Sequence, residues 1–160
     1  MPLLGHLIFV GLALVATSAA AQQRPLPKEV QAVIQESRES CQGEGKKDDL
    51  TVGKDAIRKL DLNGDGIDDY IVDHSDIKCG DSFAFFCGTG GCTLHILVAK
   101  RDGTFALVFE GQVRKYILSA GPGPRTIRFH LHGGFCGRAG AYDCRKSQRI
   151  TGAPFEYKDR

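Results

Sequence analysis

No Cys-x-x-Cys pair occurs in the 160 residues. That absence removes the thioredoxin-type redox motif. It also removes the paired cysteines on which the usual structural zinc patterns are built. No Gly-x-Ser-x-Gly elbow is present, so the signature of an α/β-hydrolase nucleophile is missing. The glycine-rich stretch CGTGGCT, Cys87 to Thr93, has no Lys-Ser or Lys-Thr after it and lacks a third glycine in register. It is therefore neither a phosphate loop nor a dinucleotide fingerprint, and a disulfide-closed loop is the simpler reading. No internal repeat appears and no linker divides the chain, so one domain is expected.

The first apolar run, Leu7 to Ala16, has no Lys or Arg before it. Its length suits the core of a signal peptide and is short for a bilayer span. Ala19, Ala20 and Ala21 supply the small residues that cleavage before Gln22 requires. Residues 1–21 are thus read as a leader, leaving 22–160 as a single secreted or periplasmic domain with no stable membrane insertion after cleavage. A membrane anchor is the rival reading of the same run.

Net charge is +2 at pH 7, a balance that by itself argues neither for nor against nucleic acid, and no nucleic-acid partner is expected. Its distribution is uneven. Asp61, Asp65, Asp68, Asp69, Asp73, Asp76 and Asp81 face one base, Lys78, in that span, whereas the stretch from Arg125 to Arg160 is rich in bases. Either the two ends complement each other, or the acidic end holds a cation and the basic end meets an anionic partner. Arg138, Arg145, Lys146 and Arg149, flanking Tyr142, are the candidates for contact with an acidic protein or envelope component; a solvated face is the plainer alternative.

Six cysteines, Cys41, Cys79, Cys87, Cys92, Cys136 and Cys144, all follow the leader. An even count behind a signal peptide reads as a disulfide framework in an oxidising compartment. Local spacing suggests Cys87–Cys92 and Cys136–Cys144, which leaves Cys41–Cys79 to tie down an N-terminal helix.

That helix is read from KEVQAVIQESRESC, where Val30, Val33, Ile34 and Cys41 fall close to one face, with Glu29 near its start and Gly43 after it. From Ala56 the pattern turns to strands. AIRKL and YIVDH flank an acidic loop. CTLHILVAK is apolar on both faces and reads as a central strand, and Asp102-Gly103 turns it into TFALVFEG, with Phe105, Leu107 and Phe109 on one face. QVRKYIL is a further strand. TIRFHLH alternates cleanly, with Ile127, Phe129 and Leu131 inward and Arg128, His130 and His132 outward. CRKSQRI and FEYK read as a last hairpin. The fold class is α+β: an N-terminal helix packed on an antiparallel sheet of six to eight strands, stapled by disulfides.

Between AIRKL and YIVDH, the oxygens of Asp61, Asn63, Asp65 and Asp69 fall at alternating positions with Gly64 and Gly66 between, and Ile67 offers a backbone carbonyl. Calcium takes about six to eight oxygens, and a tight loop supplies them only where glycine permits the bend. Val72 stands where an EF-hand has its bidentate glutamate, and strands rather than helices flank the loop. The alternative is a solvated aspartate-glycine turn.

This Asp-x-Asn-x-Asp-Gly-x-x-Asp stretch, followed by YIVD, resembles the calcium loop of FG-GAP and VCBS-type repeats. The likeness covers about fifteen residues and occurs once, so the propeller fold of those repeats does not carry over. Together with the Cys-Gly-x-Gly-Gly-Cys loop, the chain resembles small exported bacterial proteins that carry one such loop and no assigned activity. The resemblance implies calcium and a compartment rather than a reaction.

Two function classes follow. The favoured one is a non-enzymatic, calcium-binding, disulfide-stabilised binding or structural module of the periplasm or cell envelope. The other is a small periplasmic hydrolase with a site built from Asp73, His74, His130 and His132. The pair His130 and His132, together with His95 or His74, is also a candidate for zinc or copper, against the plain reading of polar residues on a half-exposed strand.

Overall fold

The computed structural model describes residues 25–43 and 49–156. The leader, its cleavage point before Gln22, residues 44–48 of the polar loop, and Tyr157 and Lys158 of the final strand reading lie outside the described residues. Helix α1 (Lys28–Gly43) precedes ten strands among those residues. They are β1 (Leu50–Val52), β2 (Ile57–Leu60), β3 (Asp69–Asp73), β4 (Ile77–Cys79), β5 (Cys87–Gly88), β6 (Gly91–Ala99), β7 (Phe105–Val113), β8 (Lys115–Leu118), β9 (Thr126–His132) and β10 (Asp143–Arg149).

Residues three and four apart share one face of a helix, and α1 buries Val30, Val33, Ser37 and Cys41 on such a face. Its partner is the central sheet, ordered β2-β3-β6 with β7 paired to the far side of β6 and the short β5 beside the start of β6. Every pairing is antiparallel. One face of this sheet offers Tyr70, Val72 and Leu97 to α1. The opposite face offers Ile71, Leu94, Ile96, Val98 and Phe109 to a second sheet, β10-β9-β8, which returns Ile127, Phe129 and Leu131. Covered on both sides, β6 has to be apolar on both faces, and CTLHILVAK is. A two-stranded ribbon, β1-β4, completes the fold beside α1.

The α+β class holds, and the strands divide into three antiparallel sheets. The chain changes sheet at Arg114, whose N–H donates to the His130 carbonyl at 3.0 Å. QVRKYIL is therefore split: its first residues finish β7 and the rest form β8. CRKSQR lies in β10, which pairs with β9. Phe155 instead donates its N–H to the Val108 carbonyl of β7 at 2.9 Å and stacks on Phe109 at 5.2 Å.

Leu94, Ile96 and Val98 of the central strand are buried, and of the residues that alternation places on one face Phe109, Ile127, Phe129 and Leu131 are buried too. Leu107 is not, at 44% exposed, and Phe105 is only partly covered, packing edge-on to Tyr70 on the helix side. The register explains both. Ile96 opposes Phe109 while Leu97 opposes Leu107, so Val108 is an extra residue in β7. Such a bulge exchanges the faces on either side of it. Val108 and Phe109 therefore both point into the core between the sheets, and Leu107 turns outward.

The three disulfides are Cys41–Cys79, Cys87–Cys92 and Cys136–Cys144, the pairing that the spacing suggested. Cys41–Cys79 fastens the C-terminal end of α1 to β4; Cys87–Cys92 links facing residues of β5 and β6; Cys136–Cys144 closes the glycine-rich loop onto β10. Disulfides of this density belong to an oxidising compartment. Among the described residues no helix is long and apolar enough to cross a membrane.

Candidate functional site

The acidic loop joins β2 to β3, and its shape follows from two glycines. Gly64 and Gly66 adopt φ of 81° and 84°, a region that costs other residues energy. A Cβ on Gly64 would also lie 2.6 Å from the Gly123 backbone, so the loop packs directly on the β8–β9 turn. Around these bends the side chains curl inward. The Asp61 carboxylate accepts the N–H groups of Gly64 at 2.7 Å and Gly66 at 3.0 Å. Asn63 Oδ1 accepts the N–H of Asp65, and Asp65 accepts both the Asn63 amide at 2.9 Å and the Ile67 N–H at 2.8 Å. The Asn63 side chain, then the Ile67 amide, hold the Asp65 carboxyl below its usual range.

Asp69 has a separate task. It is fully buried, its Oδ2 accepting the N–H of Leu62 at 2.7 Å and of Asn63 at 3.3 Å, its Oδ1 that of Ala99 at 2.8 Å. Burial pushes this carboxyl up, against the pull of three backbone donors, and the charge on Asp65 adds to the rise. Asp69 thus pins both ends of the loop and ties it to the end of β6. Arg125 braces it from the other side: its Nε donates to the Asp61 carbonyl at 2.9 Å and its N–H to the Leu62 carbonyl at 2.8 Å. Sequence reading missed Arg125, because only the packing of the β8–β9 turn brings it to residues more than sixty positions earlier.

Asp61, Asn63 and Asp65 are hard oxygen donors of the kind calcium takes, and a carboxylate oxygen accepting one N–H keeps a lone pair for a cation. By donor chemistry the loop fits the ion, with Ile67 adding a carbonyl. Asp69 has the least acceptor capacity left. Among the described residues, no three His, Cys, Asp or Glu side chains gather as a group that could hold a metal. A complete shell therefore depends on Asn63 and backbone oxygens as well as the acids.

The residues of the hydrolase alternative fall in two surroundings. Asp73 caps the short 3-10 turn after β3, accepting the Ser75 N–H at 2.9 Å, and His74 on that turn is buried under α1. His130 lies on the outer face of the second sheet, 3.3 Å from Asp143, and the His132 ring caps the following turn by accepting the Gly134 N–H at 3.1 Å. His74 instead meets Ser37, Phe86 and His95.

The outer face of the second sheet collects the basic residues. Register places Lys115, His130 and Arg145 side by side across three strands, with Arg128 and Arg149 in the neighbouring rows. Arg145 is bonded to Asp143 at 2.6 Å, the one acid on this face within the three strands. Lys146 points the other way, opposite buried Phe129, and Tyr142 is 60% exposed in the adjoining loop. Lys115 and Arg128 join the patch only through strand pairing, which a linear scan of the C-terminal third does not see. No protein family, curated protein or solved structure matches the chain.

Proposed function

We propose that this is a non-enzymatic, disulfide-stapled binding module of the periplasm or cell envelope, with one calcium ion taken by the loop of Asp61, Asn63, Asp65, Ile67 and Asp69. The observation that carries the reading is the loop itself. Oxygens at alternate positions curl around two glycines of positive φ, while Asp69 and Arg125 fix the frame from both sides. The likeness to a single FG-GAP or VCBS-type loop supports the same ion. When bound, calcium would neutralise the crowded carboxylates and stiffen the β2–β3 connection. Asp61, Asn63 and Asp65 would hold it with the Ile67 carbonyl, and Asp69 would anchor the loop.

The partner surface in this reading is the outer face of the second sheet. Lys115, Arg128, Arg145 and Arg149 outnumber Asp143 there, which suits an acidic protein or envelope component. The test of the whole is titration calorimetry with calcium on residues 22–160. Without a glutamate at the twelfth loop position, affinity on the order of 10⁻⁴–10⁻³ M is expected, as in extracellular modules. Asp61→Asn with Asp65→Asn should abolish the heat. No heat from the unaltered protein at millimolar calcium overturns the proposal.

A further inference from the structure

Beneath α1 lies a cluster that the proposed module does not use. Ser37, His74 and His95 are the polar side chains buried between the helix and the central sheet, at 5%, 2% and 6% exposed. Ser37 Oγ lies 2.8 Å from the Val33 carbonyl and 2.8 Å from His74 Nε2. The position of the ring proton decides which of Ser37 and His74 donates in that contact. The Thr93 backbone also acts on the ring as a hydrogen-bond partner, and His74 Nδ1 is buried with no partner at full hydrogen-bond geometry. His95 repeats the pattern, with Nε2 3.7 Å from Glu110 Oε1 and a buried Nδ1 likewise unpartnered. The two rings lie 5.1 Å apart, and Phe86 closes edge-on over His74 at 5.0 Å.

Such a pocket accepts two neutral imidazoles and rejects a cation. The charged or titratable groups acting on His74 are His95 from β6, Asp73 beside it and Glu110 from β7; α1 contributes only the Ser37 hydroxyl to its bonding. Glu110 is more than half exposed and its charge is well screened. An imidazolium here needs water, and lifting α1 from the sheet would admit it. The C-terminal end of α1 cannot leave, because Cys41 is bonded to Cys79. Its N-terminal half is fastened by Val30, Val33 and the Ser37–His74 contact, with Leu26 and Ile34 packed partly covered against the same cluster.

We propose that His74 and His95 form an acid-sensitive latch. At neutral pH the uncharged pair holds α1 on the sheet, and in mildly acidic surroundings proton uptake swings the Lys28–Ser37 half outward about the Cys41–Cys79 bridge, uncovering Tyr70 and Val72. Burial, and for His74 also the neighbouring imidazole, lowers both histidines to about 4, so they charge well below the ordinary range, with opening driven by the higher proton affinity of the open form.

Hydrogen-exchange mass spectrometry at pH 7 and pH 4.5, corrected for intrinsic exchange, tests it on the disulfide-intact protein. Peptides from α1 should lose protection about tenfold or more, while those of β9 and β10 keep theirs. In His74→Gln with His95→Gln, where Gln keeps an amide donor toward Ser37, α1 protection should no longer depend on pH. Unchanged α1 protection in the unaltered protein overturns the latch; so does a loss shared equally by β9, or an equal loss in the double variant. Should that variant not fold, imidazole ¹⁵N shifts of the unaltered protein decide. Titration of His74 and His95 in step with α1 opening supports the latch, and opening while both stay neutral overturns it.

Discussion

The three disulfides close loops of different length, and that difference ranks their contributions. Cys41–Cys79 spans 38 residues, Cys136–Cys144 spans 8 and Cys87–Cys92 spans 5. Restricting the unfolded chain by loop closure is worth about 4, 2.5 and 2 kcal/mol respectively. Burial widens the gap: Cys41 and Cys79 are 1% and 0% exposed within the cluster under α1, whereas Cys87 and Cys92 are only partly covered. Cutting Cys41–Cys79 therefore removes packing as well as a tether, about 1 kcal/mol more. Equilibrium urea unfolding of Cys41→Ala/Cys79→Ala and of Cys87→Ala/Cys92→Ala should place the first at least about 2 kcal/mol below the second. Thiol titration of the denatured, unreduced protein should first show no free thiol. Equal losses, or a larger one from the Cys87–Cys92 pair, would refute both the loop-closure argument and the anchoring of α1 by its C-terminal end.

Three further outcomes are expected. Phe129→Ala removes a ring 1% exposed and stacked 4.9 Å from Phe109, and should cost about 3–5 kcal/mol in urea unfolding, while His130→Ala on the outer face should change stability by less than about 1 kcal/mol. At the β7 bulge, Val108→Ala should cost about 1–3 kcal/mol and exposed Leu107→Ala about 0.5 kcal/mol or less, a contrast that strict alternation would reverse. Stability should also fall in acid. His74 and His95 drop from 6.5 unfolded to about 4 folded, so their contribution is complete above pH 6.5 and is lost as pH falls toward 4, roughly 3 kcal/mol per histidine; a flat urea midpoint from pH 7 to 4.5 would contradict this.

Much of the fold was legible because local patterns carried it. Val30, Val33 and Cys41 marked the buried stripe of α1, with Ile34 on its partly covered margin, TIRFHLH declared its faces, and cysteine spacing suggested the pairing without deciding it. What escaped depended on tertiary register. One extra residue at Val108 exchanges the faces of β7, and composition does not reveal it. The division into sheets was hidden because alternation tells which side chains share a face, not which sheet the strand joins. The candidate loop was visible as a spacing, since Gly64 and Gly66 announce its bends. Its braces were not. Arg125 arrives from the β8–β9 turn, and the three donors that claim Asp69 include the distant Ala99 amide. His74 and His95 stood out only as possible partners of His130 and His132, and nothing local paired them with each other beneath α1; Lys115 and Arg128 entered the basic face only by strand pairing.

The calcium claim is tested most directly by following the backbone amides of Asp61 to Asp69 by NMR as calcium is added. Gly64 and Gly66 donate to the Asp61 carboxylate, and Ile67 to that of Asp65, so an ion drawing on those oxygens must disturb all three N–H groups together. The account predicts saturating shifts confined to this loop and the neighbouring Arg125, with a midpoint on the order of 10⁻⁴–10⁻³ M, and none of this in Asp61→Asn with Asp65→Asn. Shifts that never saturate, or that sodium chloride of equal ionic strength reproduces, would contradict it.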